Sequence, residues 1–218
     1  MKVLLISASP HKEKSTTFLL AQEVARGLTE TGAEVEVVHL SDKNIGFCRH
    51  CEECHKKILR CPLNDDVADI LKKMMESGGI ILASPNYINQ VTASMKALLD
   101  RSAHFIHCKR LLGKYIVGVV SSGSGLDQGI LDYLRYYGHT CGAQYSGGVS
   151  SAAYCVKEKF SQALKLGKKM ARDMQEKTAF ADQLKLIEQG KKHFQRVMEL
   201  RKSEWLEEYA YWKEKGWL

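Results

Sequence analysis

The sequence predicts an α/β fold built on a doubly wound, five-stranded parallel sheet. Short runs of Val, Ile and Leu recur along the chain between turn residues, as is typical of parallel strands that are buried on both faces. Segments with helical periodicity lie between these runs, so strands and helices alternate. The 218 residues are enough for one sizeable core. In such a fold, ligands bind at the carboxyl ends of the strands.

Each element follows from its local pattern. Strands are expected at 3–6, 35–40, 80–83, 115–120 and, from a weaker pattern, 143–149. Apolar residues spaced by four predict a first helix that Ser15 or Thr16 can cap and that Gly32 ends. Similar patterns predict helices at about 66–77, 93–101 and 128–137. From about residue 157 the pattern is that of nearly uninterrupted helix, ending in an aromatic-rich run.

These elements divide the chain into two parts. Residues 1–155 form the predicted sheet domain, with a cysteine-rich loop inserted after the second strand at about 44–66. Residues 156–218 form a helical C-terminal extension. Its apolar and aromatic side chains predict packing on its own sheet or on a sister subunit. A lid over the ligand is the alternative.

Composition and charge exclude several classes of protein. The chain has neither the roughly 18 to 20 consecutive apolar residues of a membrane span nor a signal peptide's cleavage site, which predicts a cytoplasmic protein without a membrane partner. The net charge of +7 arises mostly after residue 150, where basic and acidic residues alternate on helical faces. No groove-reading motif accompanies it, so nucleic acid is not an expected partner. Seven cysteines, an odd number, indicate reduced thiols or metal ligands.

The loop after the first strand is rich in hydroxyl groups and opens a helix. Free backbone N–H groups and the helix dipole favour a phosphate at such a position. Ordinary helix capping by Ser15 or Thr16 is the alternative, although capping needs only one hydroxyl. The loop is neither a P-loop nor a GxGxxG motif, which disfavours ATP and a Rossmann-bound dinucleotide. The candidate phosphate-binding residues are Ser9, Lys12, Ser15, Thr16 and Thr17.

Two further loops follow the third and fourth strands. The segment after the third strand contains Ser-Pro-Asn, which would make a rigid strand-to-helix turn. The loop after the fourth strand is rich in Gly, so that its backbone can approach a ligand, although a flexible connection would have the same composition. Its candidate contacts are Ser121, Ser122, Gly123 and Gly125.

The first two loops resemble those of the flavodoxin-like NADPH-dependent FMN reductase family. The resemblance rests on Ser9-Pro10 followed by Ser15-Thr16-Thr17, and on the segment from Ser84-Pro85 to Asp100-Arg101. Ala8 and His11 stand where that family often has Gly and Arg. The resemblance implies a flavodoxin-like fold and FMN as the ligand. It also implies that the planar, apolar isoalloxazine ring contacts the second loop, at Pro85, Asn86, Tyr87, Ile88 and Asn89. The extension's alternative role would then be a lid over the flavin.

The cysteine-rich loop carries the most informative motif. Four cysteines follow the spacing C-x2-C-x2-C-x6-C, at Cys48, Cys51, Cys54 and Cys61. Three thiolates at this spacing can bind neighbouring irons of one cubane cluster, and the fourth thiolate completes the ligand set. Zinc and unmetallated thiols remain the alternatives. With four thiolates available, His50 and His55 are expected to be solvated loop residues.

The remaining cysteines and two histidines are not expected to be functional. Cys108, Cys141 and Cys155 are scattered along the chain and are expected to be buried or inert. His104 and His107 are expected to be polar residues at the end of a helix.

The cysteine motif and the Asp65-Asp66 pair after it resemble those of the iron-sulfur flavoproteins of anaerobic prokaryotes, a branch of the same family. The resemblance covers roughly residues 1–150. It implies FMN, a four-iron four-sulfur cluster on the four cysteines, and a homo-oligomer, a dimer or tetramer, in which a cluster faces the flavin of a neighbouring subunit.

The predicted function is therefore electron transfer between the cluster and FMN, with a ferredoxin-like redox partner or a small-molecule acceptor. No side chain is needed as a catalytic acid, base or nucleophile. The first alternative is an FMN-dependent reductase of quinones or flavins that uses NAD(P)H as its donor and has no cluster. The second is a zinc-stabilised interaction protein that is not a catalyst.

Overall fold

The computed structural model describes residues 1–218 and confirms the predicted sheet. Five strands pair in parallel in the order β2-β1-β3-β4-β5. They are β1 Lys2–Ser7, β2 Glu34–His39, β3 Gly79–Pro85, β4 Tyr115–Ser122 and β5 Gln144–Ala152. Strand β2 has the predicted length, and the other four are slightly longer than their sequence patterns indicated. The order reverses at β1, so the carboxyl ends of β1 and β3 flank the crevice in which doubly wound sheets bind ligands.

Nine α-helices cover the sheet and extend beyond it. They are α1 Thr16–Thr29, α2 Glu53–Lys56, α3 Val67–Glu76, α4 Ala93–Asp100, α5 Ala103–Cys108, α6 Gln128–Cys141, α7 Phe160–Glu176, α8 Ala181–Leu200 and α9 Leu206–Glu214. No helix combines the length and the apolar character that a lipid bilayer span requires.

Alternate residues of each strand enter two separate cores. Leu4 and Ile6 of β1 pack with α3, α4 and α6 on one face, whereas Val3 and Leu5 pack with α1 and α7 on the other. This alternation explains why the central strands are continuous apolar runs. Both faces exclude water, so a ligand can enter only at the edges of the sheet.

Helix α1 begins where the first loop needs it to begin. Ser15 has extended backbone angles, and its Oγ accepts a hydrogen bond of 3.4 Å from the backbone N–H of Phe18. Ser15 is therefore the N-cap, and the backbone N–H groups of the next residues face the carboxyl edge of the sheet. At its other end the chain turns through Gly32, whose φ of +83° suits glycine.

The C-terminal extension is three helices rather than one nearly uninterrupted helix. Lys177, at φ +50°, ends α7, and a turn over residues 201–205 separates α8 from α9. Helix α7 packs so closely on α1 that a Cβ on Gly167 would lie 2.0 Å from the carbonyl oxygen of Val24. Helix α8 packs on α6, and α9 packs on α2 and α5. The extension thus packs on its own chain.

Candidate functional site

The three predicted loops meet at the carboxyl edge of the sheet and line one open cleft of about 340 Å³. Hydrogen bonds join them to one another. The Oγ of Ser121 lies 2.5 Å from the Oγ1 of Thr17 and 3.1 Å from that of Thr16. The backbone N–H of Asn86 donates to the carbonyl oxygen of Ser121 over 2.8 Å. The first and third loops are therefore linked by hydroxyls, and the second and third by their backbones.

The tip of the second loop is a tight and strained turn. The backbones of Tyr87 and Gln90 exchange two hydrogen bonds, and the residues between them, Ile88 and Asn89, have φ values of +52° and +56°. Such angles are unfavourable for a β-branched residue. The side chain of Ile88 is 99% exposed, so packing within this chain does not offset the strain.

The cleft contains ten of the fourteen residues predicted to bind the cofactor. They are Ser9, Ser15, Thr16, Thr17, Pro85, Asn86, Tyr87, Ser121, Ser122 and Gly123. Lys12 instead pairs with Asp42, and Asn89 and Gly125 line a neighbouring hollow. Binding roles for these residues and for Ile88 remain predictions.

Three residues of the cleft were not predicted: His11, Lys14 and Ala153. Lys14 has the clearest sequence signal, because it is a basic residue among the hydroxyls of the first loop. A lysine there would add charge attraction for a phosphate. With hydroxyls at the start of α1 on one side and Pro85 to Tyr87 on the other, the cleft offers groups suited to the phosphate and the ring of FMN.

The four cysteines of the motif line one pocket of about 100 Å³ beside the sheet. Cys48 and Cys51 are exposed, whereas Cys54 and Cys61 are partly buried. The backbone N–H of His50 points at the Sγ of Cys48 over 3.4 Å. Hydrogen bonds of this kind to sulfur are among the means by which proteins tune iron-sulfur clusters. Four thiols that line one pocket, with such a donor, have the chemistry to hold a metal cluster.

Burial and nearby negative charge act on the thiol of Cys54. Burial raises the pKa of Cys54 to about 12, and the charges of Glu208 and of the other three cysteines add to the effect. Without a metal, this thiol stays protonated at neutral pH. Metal binding displaces the proton, since thiolate is the form that coordinates.

A buried ion pair closes the base of the cysteine loop. Arg101 donates to the two carboxylate oxygens of Asp65 over 2.7 and 3.0 Å, and both side chains are almost fully buried. Arg101 also donates to the carbonyl oxygen of Gly46 over 2.8 Å, and Asp65 accepts from the N–H of the same residue. Burial alone would lower the pKa of Arg101, but the hydrogen bond to Asp65 and the charges of Cys61 and Asp65 raise it. The two ends of the loop are therefore tied together.

The C-terminal extension holds the outer part of the same loop. Contrary to prediction, His55 is not a solvated residue: it is 6% exposed, and its Nδ1 lies 2.7 Å from Glu208 of α9. The other carboxylate oxygen of Glu208 lies 3.0 Å from the Nδ1 of His107, and Trp205 packs on both imidazole rings. None of the residues that line the cleft comes from α7, α8 or α9, so the extension covers the cysteine loop and not the cleft.

The other residues set aside as non-functional are mostly buried. Cys108 and Cys141 are fully buried, and Cys155 is partly buried. His104 is 1% exposed, and neither of its ring nitrogens has a hydrogen-bond partner.

The sheet order and the three-loop cleft at its carboxyl edge define a flavin-dependent oxidoreductase of flavodoxin-like fold. Residues 1–154 match the family model described as NADPH-dependent FMN reductase, and the chain belongs to this family. Within it, the chain belongs to the iron-sulfur flavoproteins.

Two relatives support this placement. An iron-sulfur flavoprotein of Archaeoglobus fulgidus is 30% identical across 100% of both chains. One of Methanocaldococcus jannaschii is 48% identical over 102 residues, which are 47% of this chain and 52% of that protein. The chain thus spans about half of the Methanocaldococcus protein and the whole of the Archaeoglobus protein.

Solved structures show the same fold at low sequence identity. A flavone reductase superimposes with a TM-score of 0.65 and 18% identity, covering 80% of this chain and 63% of that one. A flavodoxin from the domain Archaea gives a TM-score of 0.55 and 13% identity, covering 80% and 99%.

Proposed function

We propose that this protein transfers electrons between a four-iron four-sulfur cluster, held by Cys48, Cys51, Cys54 and Cys61, and FMN bound in the three-loop cleft. Its redox partner is a ferredoxin-like protein or a small-molecule acceptor, and the working form is a homo-oligomer. When bound, the cluster supplies one-electron transfer, and FMN supplies transfer of one or two electrons.

The observation that carries this proposal is that the four cysteines of the motif line one pocket. They come from a single loop whose base is closed by Asp65 and Arg101. Zinc sites with four thiolates usually combine two separate C-x2-C pairs, whereas here three cysteines follow one another at intervals of three. That arrangement favours a cluster over zinc.

In this function, the polar groups of the cleft bind and orient the FMN. The hydroxyls of Ser15, Thr16 and Thr17 and the backbone N–H groups at the start of α1 suit the phosphate of FMN. Pro85 and Tyr87 form an apolar wall for the ring. No side chain in the cleft has to exchange a proton for this function.

A second candidate is an NAD(P)H-dependent FMN reductase that does not use a cluster. The observation that favours it is the open cleft, in which Tyr87 is 49% exposed. A nicotinamide ring could reach a flavin bound there directly from solvent.

One anaerobic purification distinguishes between these candidate functions. We expect anaerobically purified protein to contain about four irons, four sulfides and one FMN per chain, as one cubane cluster and one flavin require. FMN without iron would favour the reductase, zinc without flavin would favour an interaction protein, and either result would overturn our proposal. Rapid anaerobic bleaching of the flavin by NAD(P)H, without a partner, would also favour the reductase.

The contribution of the four cysteines is tested by a matched pair of variants. We expect Cys61→Ser to lose most of its iron while it retains FMN, because the hydroxyl is a poor cluster ligand. Cys155→Ser, a partly buried cysteine outside the loop, should retain both. Equal iron contents in the two variants would contradict the assignment of Cys61 as a ligand.

A further inference from the structure

The cysteine loop has little regular structure of its own. Residues 43–52 contain neither helix nor strand, and α2 is only four residues long. Three residues between the first and last cysteines, His50, Glu52 and Leu59, have φ values between +50° and +62°, which are unfavourable for residues other than glycine. Contacts from outside the loop must therefore hold this conformation.

Four polar contacts from a short C-terminal segment, residues 201–208, supply that support. Arg201 donates to both carboxylate oxygens of Glu52 over 3.1 Å, and the indole N–H of Trp205 donates to one of them over 3.1 Å. Glu207 accepts from the backbone N–H of Ile58 over 2.7 Å. The fourth contact is the one between Glu208 and His55, the residue next to Cys54. All four contacts reach the stretch between Cys51 and Cys61.

Glu208 is the central member of this segment. It is completely buried, and each of its carboxylate oxygens has one imidazole partner, His55 or His107. Burial alone would raise the pKa of Glu208, but the hydrogen bonds of His107 and His55 lower it, so the buried group is ionised. A buried carboxylate with both oxygens paired is a rigid anchor, because moving either partner leaves a buried charge uncompensated.

The same three side chains do not form a good metal site. Their ligand atoms lie within 4.8 Å of one another. However, the two imidazole planes are stacked, with an angle of 24° between them and centroids 4.8 Å apart. A ring nitrogen binds a metal in the plane of its ring, so two nearly parallel rings do not converge on one ion. The two oxygens of the Glu208 carboxylate can instead each pair with one of these separate rings.

We propose that Glu208 is a positioning residue for the cysteine loop: together with Arg201 and Glu207, it holds the chain around Cys54 so that the four thiols face one pocket. This inference rests on the proposed function, in which the pocket holds the cluster. Glu208 lies 153 residues from His55 in the sequence, so this role makes the C-terminal extension part of the cluster site.

The test measures the loop directly, in full-length protein from which metal has been removed under reducing conditions. We expect Glu208→Ala to raise the alkylation rate of Cys54 about tenfold, since the loop loses a hydrogen bond to a buried charge. The rate for Cys155, measured in the same sample, should not change. Glu208→Gln, which keeps the shape and one acceptor oxygen, should restore most of the protection. Glu214→Ala, an exposed residue of the same helix, is the matched control.

The same variants are then purified anaerobically and analysed for iron and FMN. We expect Glu208→Ala to lose most of its iron while FMN stays at the wild-type level. Glu208→Gln should retain iron and show a more positive cluster potential, because a negative charge near the cluster has been removed.

Several outcomes would overturn the inference. One is a Cys54 rate in Glu208→Ala equal to that in Glu214→Ala. Another is an equal acceleration at Cys54 and Cys155, which would indicate general unfolding. If Glu208→Ala does not fold, Arg201→Ala on the surface replaces it, and an unchanged Cys54 rate there counts against the inference. If anaerobically purified wild type contains no iron but its Cys54 is still protected by Glu208, the positioning role is supported and the proposed function is refuted.

Discussion

Replacing His104 with Leu tests how a buried, unpartnered histidine links stability to pH. His104 lies on α5, is 1% exposed, and has no hydrogen-bond partner at either ring nitrogen. Burial is the main cause that lowers its pKa to about 3, against an ordinary value of 6.5. The folded protein therefore keeps this imidazole neutral at a pH where the unfolded chain protonates it.

The sign and size of the effect follow from linkage. Because the unfolded state binds the additional proton, His104 lowers the free energy of unfolding as the pH falls below 6.5, and the loss continues to about pH 3. At about 1.4 kcal/mol per pH unit, the loss is about 0.2 kcal/mol at pH 7 and about 2 kcal/mol at pH 5. Leu does not titrate, so the stability difference between His104→Leu and wild type should shift by about 2 kcal/mol in favour of Leu over this interval.

Urea denaturation of the reduced, metal-free proteins at pH 7, 6 and 5 measures this difference. Over this range Asp65 and Glu208, whose pKa values the fold lowers, remain ionised and do not contribute. His193→Leu, at an exposed position on α8, is the control for the replacement of a histidine by leucine as such. The reasoning is refuted if wild type and His104→Leu lose stability in parallel as the pH falls.

Three further variants test the loops. Ile88→Asn should raise the free energy of unfolding by about 1 kcal/mol, because Asn tolerates φ +52° better than a β-branched residue does. Thermal denaturation measures this gain, and no gain would mean that the turn is not strained. Arg101→Met should lower it by about 3–5 kcal/mol by leaving Asp65 buried without a partner, and a loss below about 1 kcal/mol in urea would argue against that pair. Ser121→Ala should weaken FMN binding about tenfold, because it removes the hydroxyl that orders Thr16 and Thr17. Flavin fluorescence measures the affinity, and an unchanged affinity would count against this role of Ser121.

The sheet and the cleft could be predicted because their signals are local. Buried parallel strands are continuous apolar runs, and their carboxyl ends share one edge, so the loops after β1, β3 and β4 had to meet. The directions of side chains at the loop tips could not be predicted in this way. Lys12 turns to Asp42 instead of the cleft, because the direction of a long side chain depends on which charge lies nearby in the fold.

The interpretation of His55 failed for a different reason. A histidine in a polar, charged loop ordinarily lies in water, and its neighbours in the sequence suggest nothing else. Its environment comes from Trp205, Glu208 and His107, which are distant in the chain. The break of the predicted C-terminal helix into three has a related cause, since the turn over residues 201–205 brings Arg201 and Trp205 to the loop.

By itself, the sequence determined the succession of strands and helices along the chain, the hydroxyl-rich start of α1 and the spacing of the four cysteines, because these depend on residues close together in the chain. Only the tertiary structure decided what holds the cysteine loop in place. Its base depends on Asp65 and Arg101, and its outer part on Glu208. Such contacts are set by packing between distant segments, for which hydrophobic periodicity and motif spacing carry no signal.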